Sequence, residues 1–232
     1  MKEKSKYSLI FIFVTIIMIL NSCNKEVALD FGLVYDIDSN LYRTVRIGDQ
    51  VWMAENLRVK HYNNGDPIEN LMDSEIWFSI DSGAYCIFNF DIHKNEHKYY
   101  YGPLYNYYAA VDERKIAPSG WHVPSDEEWR ILIEYLGGEE IAGGKLKATS
   151  TEHWAGDNTG ATNETGFSGL PSGFRLERLD SVNFGYRGYC GYWSTTGNQT
   201  HAWMISLSWN TGSINRTKMS KQTGMSIRCI KD

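Results

Sequence analysis

APSGWHVPSDEEW, residues 117–129, is the stretch from which the fold is read. Ser125 is a strong helix N-cap, and Glu128, three positions later, completes a capping box. Asp126 and Glu127 place negative charge at the positive end of the helix that follows. Trp129, Leu132, Ile133 and Leu136 then recur at helical spacing and make one apolar face, and Gly137-Gly138 stops the helix. Upstream, Pro118 and Gly120 break any helix that reaches them.

Working outward, GPLYNYYAAVDE (residues 102–113) carries Leu104, Tyr107, Tyr108 and Val111 at i, i+3, i+4 and i+7. This spacing predicts a second helix. Residues 139–148 can add a short third one. Residues 36–57 alternate as a β-hairpin around Gly48-Asp49. From Thr149 the character changes, with Gly, Asn and Thr between brief aromatic runs. Strands are expected at 166–176, broken by Pro171-Ser172-Gly173, at 189–195, and at 225–230. A hairpin is expected from 201–209 and 213–219 around Asn210-Thr211-Gly212. The expectation is an α+β fold: two or three helices packed on short, mostly antiparallel strands with long Gly/Asn-rich loops.

The chain has 232 residues, 42% hydrophobic and 22% charged, a globular composition. Aromatics reach 14%, with 8 Trp and 15 Tyr. Net charge is −5, and no basic cluster occurs, which argues against nucleic acid as the partner. No run of about 20 apolar residues is present to span a bilayer as a helix.

Lys2, Lys4 and Lys6 precede an apolar run at 7–20, and Leu20-Asn21-Ser22-Cys23 follows. This resembles a bacterial lipoprotein signal: residues 1–22 would be removed and Cys23 acylated, leaving residues 23–34 as a lipidated tether. Several acyl chains, at about 0.8 kcal/mol per buried methylene, would hold the protein to the membrane. Asn24-Lys25-Glu26 resembles the signal that sends some lipoproteins to the outer cell surface. A periplasm-facing anchor is the alternative.

IGDQVWMAENL (47–57), YGPLYNYYA (101–109), APSGWHVPSDEEW (117–129) and GMSIRCIKD (224–232) occur in one order, with GFSGLPSGFR (166–175) and GYWSTT (191–196) between the last two. Together they resemble the Fibrobacter succinogenes major paralogous domain, common on secreted bacterial lipoproteins, across residues 35–232. The resemblance implies a C-type-lectin-like fold, distantly similar to formylglycine-generating-enzyme domains. It also implies that Trp52, Trp121 and Trp129 are packing residues. For the cysteines it implies a Cys86–Cys229 disulfide with Cys190 free. Ala117 stands where many relatives carry the cysteine before Pro-Ser-Gly-Trp. All three thiols reduced and buried is the alternative.

In lectin-like folds the long variable loop falls where Tyr192, Trp193, Trp203, Trp209 and Asn210 lie here. Exposed aromatics there can stack on sugars or anchor proteins, so these five are the candidate ligand-binding residues. The calcium-site motifs of such lectins are lacking, since Trp209-Asn210-Thr211 has no Asp.

His93-Lys94-Asn95-Glu96-His97 matches H-x-x-E-H, but its flanks do not read as a helix, and a solvated loop is expected. Asp36-x-Asp38-x-Asn40 begins like a calcium loop, yet Leu41 and Ile47 stand where Gly and Glu are needed, so it reads as a polar turn. No catalytic constellation, metal or cofactor is expected. The sequence therefore reads as an outer-membrane, surface-exposed binding module for a glycan or protein, anchored through Cys23. The alternatives are a structural part of a surface assembly, or a divergent enzyme of the formylglycine-generating type using Cys190 and Cys229.

Overall fold

The computed structural model describes residues 32–87, 101–176 and 187–232. The signal segment, Cys23 and the His93–His97 motif lie outside them. The fold is mixed α and β, with four helices and mostly antiparallel strands in three curled sheets among the described residues.

The first sheet holds β1 (Gly32–Tyr35), β2 (Leu41–Ile47), β3 (Gln50–Met53), β7 (Trp121–His122) and β11 (Ile230–Lys231), in the order β1-β2-β3-β11-β7. The hairpin of β2 and β3 turns at Gly48, as its sequence predicts. There φ is +60°, and a Cβ would meet the Tyr135 ring at 2.9 Å, so glycine is favoured. The second sheet is a meander of β8 (Tyr189–Gly197), β9 (His201–Ser208) and β10 (Ile214–Ser220). A small third sheet joins β4 (Glu69–Asn70), β5 (Ala84–Cys86) and β6 (Leu104–Tyr105), with β4 and β5 parallel.

Helix α3 (Asp126–Tyr135) carries the capping box: Glu128 N–H donates to Ser125 Oγ at 3.2 Å, and Ser125 N–H donates to Glu128 Oε2 at 2.7 Å. Helix α4 (Glu139–Leu146) is the expected third one. Two elements differ from expectation. The periodicity at 102–113 forms only the short helix α2 (Tyr107–Val111), because Asn106 caps it and Leu104–Tyr105 are taken as strand β6. Helix α1 (Ser74–Ser79), capped by Asp73, is an addition that its few polar residues did not announce.

The C-terminal segment departs from expectation in the most informative way. Residues 225–230 were expected to form one strand, yet only Ile230 and Lys231 pair as one. The backbone before them serves several partners in turn. Met225 exchanges two hydrogen bonds with Tyr105, at 2.8 and 2.9 Å. Ser226 bonds to Gly191 and Trp193 in the second sheet. The carbonyls of Ile227 and Cys229 accept from Leu57 and Met53. A segment bonded to all three sheets cannot keep one neighbour long enough to be a strand, and every residue from 223 to 230 is buried.

Arg228 fixes this segment. Its guanidinium is buried and donates to Asn56 Oδ1 (2.6 and 3.2 Å), to the Met53 carbonyl (3.1 Å) and to the Phe167 carbonyl (2.5 Å). It lies 4.1 Å from the Phe167 ring centre. Two large cores flank the segment. One gathers Tyr42, Met53, Tyr105, Trp193 and Ile227. The other gathers Trp52, Trp129, Phe167, Tyr192 and Ile205, with the Trp52 and Trp129 rings 4.6 Å apart.

Replacing Arg228 by Met should remove at least about 3 kcal/mol of stability, since two carbonyls and an amide oxygen lose their buried donor. Ser125→Ala should cost only about 1 kcal/mol, the worth of a cap. Denaturant midpoints of the two variants check the ranking; an Arg228→Met loss as small as the cap's would show that the segment does not depend on the guanidinium.

Candidate functional site

The β8–β9–β10 meander has two faces. Residues directly opposed in the ladders share a face, and the pairs Tyr189↔Ser208, Ser206↔Asn215 and Met204↔Thr217 line one of them. A groove of about 250 Å³ runs along it. Its polar wall is Ser206, Ser208, Thr211, Ser213, Asn215 and Thr217. Phe174, Tyr189, Met204 and Met219 supply an apolar floor. No Asp, Glu, His, Lys, Arg or Cys lines the groove among the described residues. Hydroxyls and one amide over an apolar floor can donate, accept and stack, but they offer no general acid or base with a tuned pKa.

Buried Lys147, which ends α4, shapes the lip of the groove. Its ammonium donates to the carbonyls of Thr159, Ser208 and Thr211, at 2.8, 2.9 and 2.8 Å. Two of those three residues line the groove. Burial lowers the Lys147 pKa to about 8. Thr211 Oγ1 and Ser213 Oγ bond at 2.8 Å, and Ser208 Oγ donates to Asn210 Oδ1 at 2.6 Å, which orients the hydroxyls.

The five candidate ligand-binding residues do not converge on this groove. Tyr192 and Trp193 are fully buried, so neither can touch a ligand. Tyr192 stacks in the Trp52 core, and Trp193 Nε1 donates to the Tyr105 carbonyl at 2.9 Å. Both lie in the middle of β8, where a core covers each side of the strand; only Tyr189, at its start, opens onto the groove. Trp203 is half-buried on the opposite face of β9, with the Arg216 guanidinium 4.2 Å and the Lys218 ammonium 4.9 Å from its ring. Arg216 is itself held by Asp126, with Nε donating to Oδ1 at 2.7 Å. Trp209 packs beside the second core and over Gly156, where a Cβ would come within 2.3 Å of its ring. Asn210 is exposed at the hairpin turn next to the groove. The residues that do line it were legible as a pattern: Ser206, Ser208, Thr211, Ser213, Asn215 and Thr217 fall at alternate positions along each arm, so one face of the hairpin is polar.

The cysteines also differ from the implied pairing. Cys86, Cys190 and Cys229 are three separate buried free thiols, so the Cys86–Cys229 disulfide is not formed in the structure. Cys86 packs with Trp77 and Leu104, whereas Cys229 belongs to the core of Met53 and Ile227. Burial pushes the Cys86 and Cys190 thiols up to about 11, and Cys229 higher still. Such thiols are poor nucleophiles.

Two further clefts are more charged. One, of about 430 Å³, includes Arg43, Glu55, Arg58, His153 and Arg228. The other, of about 450 Å³, includes Asp112, Glu113, Lys115, His122 and Asp232. His122 bridges two carboxylates, Nδ1 to Asp232 Oδ1 and Nε2 to Glu128 Oε1, both at 2.7 Å. Burial opposes its charge, but these two partners outweigh burial and raise its pKa. Asp36 and Asp38 make the expected polar turn: Asp36 accepts from Asn40 and Tyr42, and Asp38 from Lys60 and His61. No group of three His, Cys, Asp or Glu that could hold a metal occurs among the described residues.

Compared with known families, residues 45–231 match the one described as the Fibrobacter succinogenes major domain. No curated protein and no solved structure matches the chain.

Two measurements follow from this geometry. In native protein, a thiol reagent at pH 8 should leave Cys86, Cys190 and Cys229 unlabelled; unfolding without reductant should expose all three. A missing pair of thiols in the unfolded protein would reinstate a disulfide. His122 has a raised folded pKa, so its contribution to stability is complete below the unfolded value near 6.5 and fades as pH rises through the folded value. Melting temperatures followed upward from pH 6 should fall more steeply for wild type than for His122→Gln. Parallel curves would remove His122 as the source.

Proposed function

The chain belongs to the Fibrobacter succinogenes major domain family, and on that premise we propose that it is a binding module anchored to the outer membrane through lipid on Cys23. In this reading residues 1–22 are the cleaved signal, residues 23–34 the tether, and the domain faces the outside of the cell. Its short antiparallel strands and few helices are consistent with a C-type-lectin-like frame.

The observation that carries the reading is the groove on β8–β9–β10. Six hydroxyl or amide side chains face an apolar floor containing Phe174 and Tyr189. A neutral oligosaccharide presents the matching chemistry, with hydroxyls at its rim and C–H faces that rest on aromatic rings. Among the described residues the lining carries no formal charge, which favours a neutral glycan over an acidic one.

A divergent enzyme of the formylglycine-generating type would need two reactive thiols. Cys190 and Cys229 are buried and belong to different cores. Their environment holds them protonated, so this reading has less support.

A panel of neutral and acidic oligosaccharides, screened against the mature chain, tests the proposal. A neutral glycan should bind. Asn215→Ala and Thr217→Val should each weaken it by about tenfold, one lost hydrogen bond apiece, with melting temperatures unchanged. Asn198→Ala, in the β8–β9 turn outside the groove, should leave glycan binding unchanged. Retention of a protein partner with no glycan bound, or binding indifferent to Asn215 and Thr217, would refute the groove as a sugar site.

A further inference from the structure

The outer face of the β1–β2 ladder is apolar and open. Leu33 pairs across from Arg43, and Tyr35 from Leu41, so these four side chains share one face. Leu33 is 65% exposed, Tyr35 62%, Leu41 41%, and Ile37 in the turn between the strands 42%. On the other face Val34 and Tyr42 pack into the core. An amphipathic hairpin of this kind has its apolar side uncovered, and four large apolar side chains close together are more than the scattered singletons of an ordinary surface.

Cations adjoin this face. The cleft of about 430 Å³ begins at Leu41 and Arg43 and runs to Arg58 and Arg228. Arg43 Nε donates to Glu55 at 2.6 Å. Arg58 has no carboxylate partner among the described residues: one guanidinium nitrogen donates to the Leu41 carbonyl at 2.8 Å, and the group lies 4.5 Å from the Tyr42 ring. Arg228 at the base of the cleft is bound by neutral groups among the described residues. Among the described residues three guanidinium groups against one carboxylate leave the cleft positive.

The position of the face supplies the occupant. Gly32 opens β1, and its N–H donates to Thr44 Oγ1 at 3.0 Å. Eight residues lie between it and Cys23, a reach of at most about 32 Å. On the lipid-anchor reading proposed above, on which this inference rests, the β1–β2 edge is the part of the domain closest in sequence to the bilayer.

We infer that the outer face of β1–β2 docks onto an anionic lipid surface, with Leu33, Tyr35, Ile37 and Leu41 entering the headgroup layer and Arg43 and Arg58 receiving lipid phosphate. The apolar side chains gain by leaving water at the interface, while the arginine stems lie along the apolar layer and present their charge to phosphate. Guanidinium suits phosphate because its fork matches two oxygens at once. Attraction of this kind weakens as salt rises, whereas the acyl anchor does not. Docking fixes the orientation of the domain, so that the tether alone does not decide which way the groove faces.

The test uses the full chain, processed in its host and reconstituted in nanodiscs of phosphatidylcholine with or without phosphatidylglycerol. Amide exchange over residues 33–43 should slow by about tenfold in the anionic discs at low salt. The double variant Leu33→Asp/Arg58→Glu should lose that protection while staying anchored, and Arg58→Lys should keep most of it. Leu33 is exposed and Arg58 half-buried at the mouth of the cleft, and an unchanged melting temperature confirms folding. Anchoring is read separately, by whether Cys23→Ser moves the protein to the soluble fraction. An anchored protein whose exchange ignores lipid charge overturns the docking face and leaves the anchor standing. A wild-type chain found soluble overturns the anchor and the docking with it. Protection that grows with protein concentration in detergent would instead mean strand pairing between copies at the β1 edge, and would also overturn the proposal.

Discussion

A single buried guanidinium organises the centre of the fold. Among the described residues Arg228 has no carboxylate beside it; neutral acceptors surround it, and the Phe167 ring covers one face. Removing such a charge from water is costly, and only well-aimed acceptors offset the cost. The geometry is therefore demanding. Met53 and Asn56 on one stretch and Phe167 on another, each distant in sequence from Arg228, must all be in place at once. Asn56 extends the network by donating to the Tyr101 carbonyl and to Ser226, which in turn meets Ser172 at 2.7 Å. Met225, Ile227 and Cys229 feed one core while Ile230 feeds the other, so the segment that carries Arg228 is also the seam between them.

The same device recurs twice. Lys147 gathers three carbonyls, and buried Arg175 donates to those of Leu71 and Met72 while stacking 4.3 Å from Trp77. A fold with short strands and long irregular connections leaves many carbonyls without ladder partners. Buried carbonyls need donors. Long cationic side chains provide several donors from one position, and they reach across gaps that a backbone ladder cannot. Each of these cations holds irregular chain in place as a sheet would hold a strand.

This explains why a groove can be stable on so little regular structure. Its walls stand on a three-stranded meander, and Lys147 ties the turn of the hairpin to helix α4. The opposite face of β9 is closed by Trp203 beneath Arg216 and Lys218. What remains open is hydroxyl-rich and, among the described residues, uncharged. The charged clefts lie elsewhere, at the β1–β2 edge and beside the C-terminus, so each region of the surface has its own polarity.

The sequence by itself determined the local elements whose signals are local: the capping box at Ser125 and Glu128, the Gly48 turn, the hairpin at 201–220, and the family motifs. These rest on contacts between residues a few positions apart. It misjudged residues 225–230 and 102–106, because a backbone's partners come from distant chain. It also placed Tyr192 and Trp193 at a ligand and Cys86 against Cys229. An aromatic run on a short strand looks the same whether its faces are open or covered, and a cysteine's spacing says nothing of which core it enters. The polar alternation of the hairpin was visible in the letters, but only the ladder register put both arms on one face and showed that face to be open. Tertiary structure alone decided burial and convergence, since both depend on which distant surfaces meet.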